Sequence, residues 1–152
     1  MLEIFKDLFA SSSPRHARDE LRLAAAALLA EAARLDGRVS ATERAAMRRV
    51  LSRRFGLDDA AAAELARDGE AAAAASTQLF EFTSVINRDW PVDQRAGLFE
   101  MIYEVIYADD ALHDLEASLM RQLGELIYLP DRERNEARQR VLQRLRSAPA
   151  SA

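Results

Sequence analysis

Two short acidic stretches hold the residues whose types and spacing could do chemistry. In the first, Asp36-Gly37-Arg38-Val39-Ser40-Ala41-Thr42-Glu43, an aspartate followed by glycine stands seven residues before a glutamate. That is the spacing of the second half of an EF-hand loop, where an aspartate and a bidentate glutamate close on Ca²⁺. The first half of such a loop is missing, because Ala32 and Arg34 occupy the places of its other acidic ligands. The second stretch repeats the spacing with Asp109 and Glu116, and there Val105 and Tyr107 take those places. Neither is an EF-hand. The pattern allows a sparser site of hard oxygen donors, suited to Ca²⁺, Mg²⁺ or Mn²⁺. Its candidate ligands are Glu31, Asp36 and Glu43 in the first unit, and Glu104, Asp109, Asp110 and Glu116 in the second. A purely structural account competes: Ser40-Ala41-Thr42-Glu43 is a capping-box pattern, and Asp36-Gly37 is a helix stop.

Charge separates the two stretches. From Ala96 to Met120 there are six acids (Glu100, Glu104, Asp109, Asp110, Asp114 and Glu116) and no Lys or Arg. The matching window 23–47 carries three acids and three arginines, Arg34, Arg38 and Arg44. Glu100 and Glu104 form a like-charge pair four residues apart, which costs a few tenths of a kcal/mol on a helix. Acids near a helix C-terminus also oppose its dipole. Three things would compensate: a bound divalent cation, a basic partner surface, or arginines from another helix such as the last. The second unit is therefore expected to bind a cation more tightly than the first, with Asp109 and Glu116 as core ligands and Glu104 or Asp110 assisting.

The elements that must position these acids are helical. About half of the 152 residues are apolar, alanine is abundant, and Gly and Pro are scarce; alanine loses no side-chain entropy on entering a helix. Residues 1–15 read as an amphipathic N-terminal arm and linker, with Leu2, Phe5, Leu8 and Phe9 at helical spacing before Ser11-Ser12-Ser13-Pro14 breaks the pattern. A single helical domain is expected over 16–146 and a disordered tail over 147–152. The first long helix, from about His16 to Asp36, carries an apolar stripe of Leu21, Ala24, Ala25, Leu28, Ala32 and Leu35. The capping box opens a second, which ends near Phe55-Gly56. Leu57-Asp58-Asp59 starts an Ala-rich third, with a break expected near Asp68-Gly69. A fourth lies near 76–87. Pro91 is placed in the first turn of a fifth, which Asp109-Asp110 ends. A sixth spans 114–127 and a seventh 130–146. No run alternates well enough to be a strand.

A shift of 73 residues lays the chain on itself: Glu31 falls on Glu104, Asp36 on Asp109, Glu43 on Glu116, and Met47-Arg48 on Met120-Arg121. The fold class is thus all-α, a compact bundle of about seven helices with an internal pseudo-two-fold repeat of helix–acidic turn–helix units. Two such hairpins can bury apolar faces that neither could bury alone.

Several function classes fall away. With no cysteine, disulfide scaffolds, thiolate metal sites and Cys nucleophiles are excluded. There is no Gly-rich phosphate loop, and neither His16 nor His113 sits in a metal or catalytic motif, so an enzyme is not expected. A net charge of −4 argues against nucleic acid as a partner. The most apolar run, Leu23 to Ala30, is too short to span a bilayer, and the expected location is cytoplasmic. Residues 2–9 and the Arg-rich last helix are candidates for peripheral contact at the inner membrane. In that helix Arg132, Arg134, Arg138, Arg140, Arg144 and Arg146 outweigh Asp131, Glu133 and Glu136. A solvated face with a Glu136–Arg140 pair is the favoured account.

The stretches Leu28-Leu29-Ala30-Glu31-Ala32-Ala33-Arg34-Leu35-Asp36-Gly37-Arg38-Val39-Ser40-Ala41-Thr42-Glu43 and Tyr103-Glu104-Val105-Ile106-Tyr107-Ala108-Asp109-Asp110-Ala111-Leu112-His113-Asp114-Leu115-Glu116 resemble the two signature turns of the tellurite-resistance TerB-like family. The resemblance runs from about Leu21 to Leu145 and includes Phe80-Glu81-Phe82 and Ile86-Asn87. It implies a compact fold of about seven helices, an acidic cluster proposed to bind metal, and a part in envelope and chemical-stress responses. The same domain occurs attached to J-domain co-chaperones. One departure is Asp110, which stands where the family's second turn usually has glycine. Aspartate tolerates a positive φ better than most residues, so the turn is either reshaped or gains a ligand. The expected function is a non-enzymatic domain that binds a divalent cation in a tellurite, chemical or envelope stress response. The alternative is a helical protein–protein interaction module whose acids bind no metal.

Overall fold

The structure, a computed structural model, describes residues 14–34, 38–109 and 114–147. Among the described residues seven α-helices follow one another: α1 (Pro14–Ala33), α2 (Ala41–Phe55), α3 (Asp59–Ala75), α4 (Phe80–Asp89), α5 (Val92–Ile106), α6 (Asp114–Leu126) and α7 (Asp131–Ser147). A 3-10 turn, Tyr107–Asp109, extends α5. The described residues contain no strand. Residues 1–13 of the arm and linker and 148–152 of the tail lie outside them, while Pro14 and Arg15 begin α1 and Ser147 ends α7.

Local chemistry sets the helix ends. The Ser40 hydroxyl accepts from Glu43 N at 3.0 Å while the Glu43 carboxylate accepts from Ser40 N at 2.9 Å, a complete capping box that starts α2. Gly56 stops α2 with φ 64°, the left-handed region open to glycine. Asp58 caps α3 by accepting from Ala61 N at 2.8 Å. Pro91 stands one residue before α5 as its N-cap, not inside its first turn. Helix α4 begins at Phe80, later than the sequence suggests, because Ser76 turns the chain: its hydroxyl donates to Gln78 O and to the Glu81 carboxylate.

Helix α1 is the centre of the bundle and is touched by α2, α3, α4 and α5. Every residue from Ala24 to Ala30 is buried, so the helix is enclosed on all sides rather than along one stripe. Alanine makes this geometrically workable, because small side chains let neighbouring axes approach. The expected break at Asp68-Gly69 does not occur, and α3 runs through it without interruption. Gly69 serves packing instead. A Cβ there would lie 2.6 Å from Ala26 Cβ and 2.7 Å from Ala26 C, so only glycine lets α3 cross α1 this closely.

A second joint involves one arginine. Arg95 of α5 donates to three carbonyl oxygens: Asn87 at 3.0 Å, Trp90 at 2.9 Å and Ile127 at 3.2 Å. Asn87 Nδ2 adds a bond to Leu126 O at 2.8 Å. The ends of α4 and α6, which leave carbonyls without intrahelical partners, thus meet on one cation. Nearby, Phe55 stacks on Trp90, and the guanidiniums of Arg22 and Arg54 lie over these two rings.

The helix boundaries carry the 73-residue shift. Ala33 and Ile106 end α1 and α5, and Ala41 and Asp114 begin α2 and α6. Burial follows the same phase: Leu28 and Met101, Ala32 and Val105, Met47 and Met120, and Val50 and Leu123 are all buried. The far ends slip by one residue. Leu57 N bonds to Ser52 O around Gly56, while Leu129 N bonds to Gly124 O around Tyr128. Tyr128 there takes φ 58°. In backbone conformation Tyr128 is therefore the counterpart of Gly56, not of Phe55.

Candidate functional site

The acids of the first unit are held by near neighbours. Glu31, half-buried on α1, has its carboxylate 3.7 Å from Arg34 Nε, one turn along. Glu43 is only 3% exposed, and its carboxylate takes part in the capping box that opens α2. Asp36 lies outside the described residues.

The acids of the second unit are met from other helices. The Glu104 side chain is 12% exposed. Arg53 Nη2 of α2 donates to both of its oxygens at 2.8 Å, and Arg144 Nη2 of α7 reaches it at 3.4 Å. Glu100, one turn earlier on α5, accepts from Arg144 Nη1 at 2.6 Å and has Arg140 Nε at 3.5 Å. The hydrogen bond from Arg144 to Glu100 is the chief cause that raises the Arg144 pKa above its ordinary value, while burial pulls it the other way. Of the three ways to compensate the Glu100–Glu104 pair, arginines from another helix are present. A pair that looks repulsive along the sequence is a cross-braced ion network in space.

Asp109 ends the 3-10 turn, and Asp114 and Glu116 lie in the first turn of α6. Their side chains, and Asp110 entirely, fall outside the described residues. Among the described residues no three His, Asp or Glu side chains gather as a metal-binding group. Glu31, Glu43 and Glu104 therefore do not form a cluster by themselves.

Arg53 is the functional neighbour that the sequence did not flag, and no local pattern marks it, because its partner is 51 residues away. Helix α7 also differs in detail. Glu136 pairs with Arg132, at 3.2 Å, rather than with Arg140, since Arg140 turns toward Glu100. Arg138 Nε donates to Tyr107 Oη at 2.6 Å, which ties α7 to the 3-10 turn just before the acidic segment. Tyr107 stacks on Tyr103 with ring centroids 6.0 Å apart, and burial pushes the Tyr103 phenol pKa up. No helix among the described residues is long and apolar enough to cross a membrane.

The family model for tellurite resistance protein TerB matches residues 22–139, a span that takes in both units and most of α7. No curated protein and no solved structure matches the chain.

Proposed function

Because this chain belongs to the TerB family, we propose that it is a non-enzymatic binding domain of a tellurite or chemical-stress response that holds a divalent cation at its second acidic turn. One observation carries the reading. The arginines of α2 and α7 engage Glu100 and Glu104, and the turn that follows them in the sequence holds four acids, Asp109, Asp110, Asp114 and Glu116, in eight residues with no Lys or Arg. A cation gains most where the local field is negative and not already neutralised. The first unit offers less, since Glu43 serves a helix cap and Glu31 faces Arg34. The shift also puts His113 where Ser40 stands, so the hydroxyl half of the capping box has no equivalent beside Glu116. In this proposal Asp109 and Glu116 are core ligands, Asp110 and Asp114 assist, and Glu31 and Glu104 leave the ligand set. Few ligands on a short turn imply modest affinity.

The test is thermal melting of wild type, Asp36→Asn and Asp109→Asn in Ca²⁺, Mg²⁺ or Mn²⁺ after chelator treatment. Wild type and Asp36→Asn should gain melting temperature with metal, and Asp109→Asn should not. At a hundredfold excess over Kd the gain corresponds to about 2.7 kcal/mol. A gain kept by Asp109→Asn and lost in Asp36→Asn would put the site in the first unit. No gain with any metal would favour the second reading, a protein-interaction module. That reading draws support from Glu31, Glu43, Glu100 and Glu104, each engaged within the fold by an arginine or a helix cap.

A further inference from the structure

Helices α2 and α7 concentrate positive charge in an acidic chain. Residues 41–55 hold five arginines and one acid, and residues 131–147 hold six arginines and three acids, while the whole chain has net charge −4. The two helices flank α5, and between them lies a groove of about 420 Å³ with Arg53, Arg54 and Arg144 on its walls and Glu100 and Gly97 below. Val50 and Met101, both buried, lie beneath the floor. We propose that this groove docks an acidic segment of a partner protein, with carboxylates on the arginine walls and an apolar side chain over Gly97.

Charge is the first support. Arg53, Arg140 and Arg144 pair with Glu100 and Glu104, three cations to two anions, and Arg54 adds a fourth cation to the groove wall, where its guanidinium bonds to Gln94 and lies over the Trp90 ring. Arg53 reaches Glu104 through Nη2 and Arg140 reaches Glu100 through Nε. A guanidinium has five N–H donors, and the side chains of Arg53 and Arg140 are 63% and 46% exposed, so both can take a further carboxylate. Glu100 and Glu104 also hold these arginines in place, which lowers the ordering cost of binding.

Gly97 is the second, independent support. A glycine inside a helix costs about 1 kcal/mol relative to alanine, so its presence asks for a reason. At Gly69 the reason is close packing. At Gly97 there is none of that kind: a Cβ would meet nothing nearer than Arg54 Nη2 at 3.6 Å, an ordinary contact. What the missing side chain does is keep the groove floor open. A concave site between helices suits inserted side chains, whereas a flat layer of lipid headgroups would meet the outer arginines of α7.

The experiment measures anisotropy of a fluorescein-labelled peptide of glutamates with one central leucine, in EDTA so that the acidic turn cannot contribute through metal. Vesicles containing phosphatidylserine are the parallel probe. Wild type should bind the peptide, and Gly97→Leu should weaken it by about tenfold or more with melting temperature held or raised. Arg53→Glu should also abolish binding, but it disturbs the Glu104 pair, so Gly97→Leu is the variant that separates docking from folding. Arg132→Glu, on α7 but outside the groove, should leave affinity within about twofold. The proposal is overturned by absent peptide binding, by binding that Gly97→Leu leaves intact, or by an Arg132→Glu loss as large as that of Gly97→Leu. Sedimentation with vesicles in the absence of peptide binding would overturn it in favour of a lipid surface.

Discussion

In the hairpin of α1 and α2, Glu31 finds Arg34 one turn along its own helix and Glu43 closes a box with the serine three residues before it. In the hairpin of α5 and α6 the equivalent region reaches outward, and Glu100 and Glu104 are met by Arg53, Arg140 and Arg144 from two other helices. Two units related by one 73-residue shift and one burial phase thus solve one electrostatic problem in opposite ways. In the first, the acidic stretch is balanced locally, three acids by three arginines in the window 23–47, and α1 is packed tightly by α3. The second depends on the assembled fold for its neutrality and lies beside an open groove. After a duplication, one copy can remain self-sufficient while the other hands its charges to the rest of the molecule.

The sharpest way to break this contrast is through two of the helical glycines, Gly69 and Gly97. Gly69→Leu, which puts a side chain into the α1–α3 contact, should cost about 3 kcal/mol or more by overpacking. Gly97→Leu, beside the second unit, should leave stability within about 0.5 kcal/mol or raise it, because leucine is the better helix former. Urea midpoints of the two variants give the comparison, and equal losses would end it.

A smaller difference is expected between the equivalent glutamates. Glu104→Ala leaves two arginines without a largely buried partner and should cost about 1–2 kcal/mol, reduced from the fully buried case because both arginines are half exposed. Glu31→Ala removes a surface pair and should cost less than about 0.5 kcal/mol. Urea unfolding at low and high salt checks this, since the Glu104 effect should shrink as salt rises. A Glu31 effect as large as that of Glu104 would contradict the division into local and distant neutralisation.

The third contrast is at the helix ends. Gly56 adopts its left-handed φ at little steric cost, whereas Tyr128 holds φ 58° while 73% exposed as a residue. A left-handed conformation costs a residue with a side chain roughly 1–2 kcal/mol. Tyr128→Gly should therefore stabilise the protein by about 1 kcal/mol, read as a higher melting temperature. A loss of stability would mean that the Tyr128 ring makes contacts that outweigh its backbone strain.

What could be read along the chain was whatever short-range chemistry determines. Ser40 with Glu43, Asp58 before α3 and Gly56 after α2 are signals within a few residues of the ends they set, and the apolar phase of α1 and α5 predicts which residues are buried. Gly69 shows where that reading fails. A glycine as a break and a glycine as a crossing point look alike in sequence, and only Ala26, 43 residues away, distinguishes them. The acidic window shows the same limit in charge. Glu100 and Glu104 look unanswered because their arginines lie on α2 and α7, and separation along the chain hides a contact that folding brings to hydrogen-bond distance. The family was legible because its turns are local motifs, which is also why the resemblance reached the acids more surely than their partners.

Arg95 has a consequence for motion. Helix termini ordinarily fray one by one, each exposing its last amides on its own timescale. Here the carbonyls of Asn87, Trp90 and Ile127 converge on one guanidinium, whose charge also suits the negative end of each helix dipole. Opening either end strips acceptors from a shared donor and so weakens the other. The last turns of α4 and α6, far apart along the chain, thereby become a single cooperative unit, exchanging their amide protons with solvent as one event instead of two.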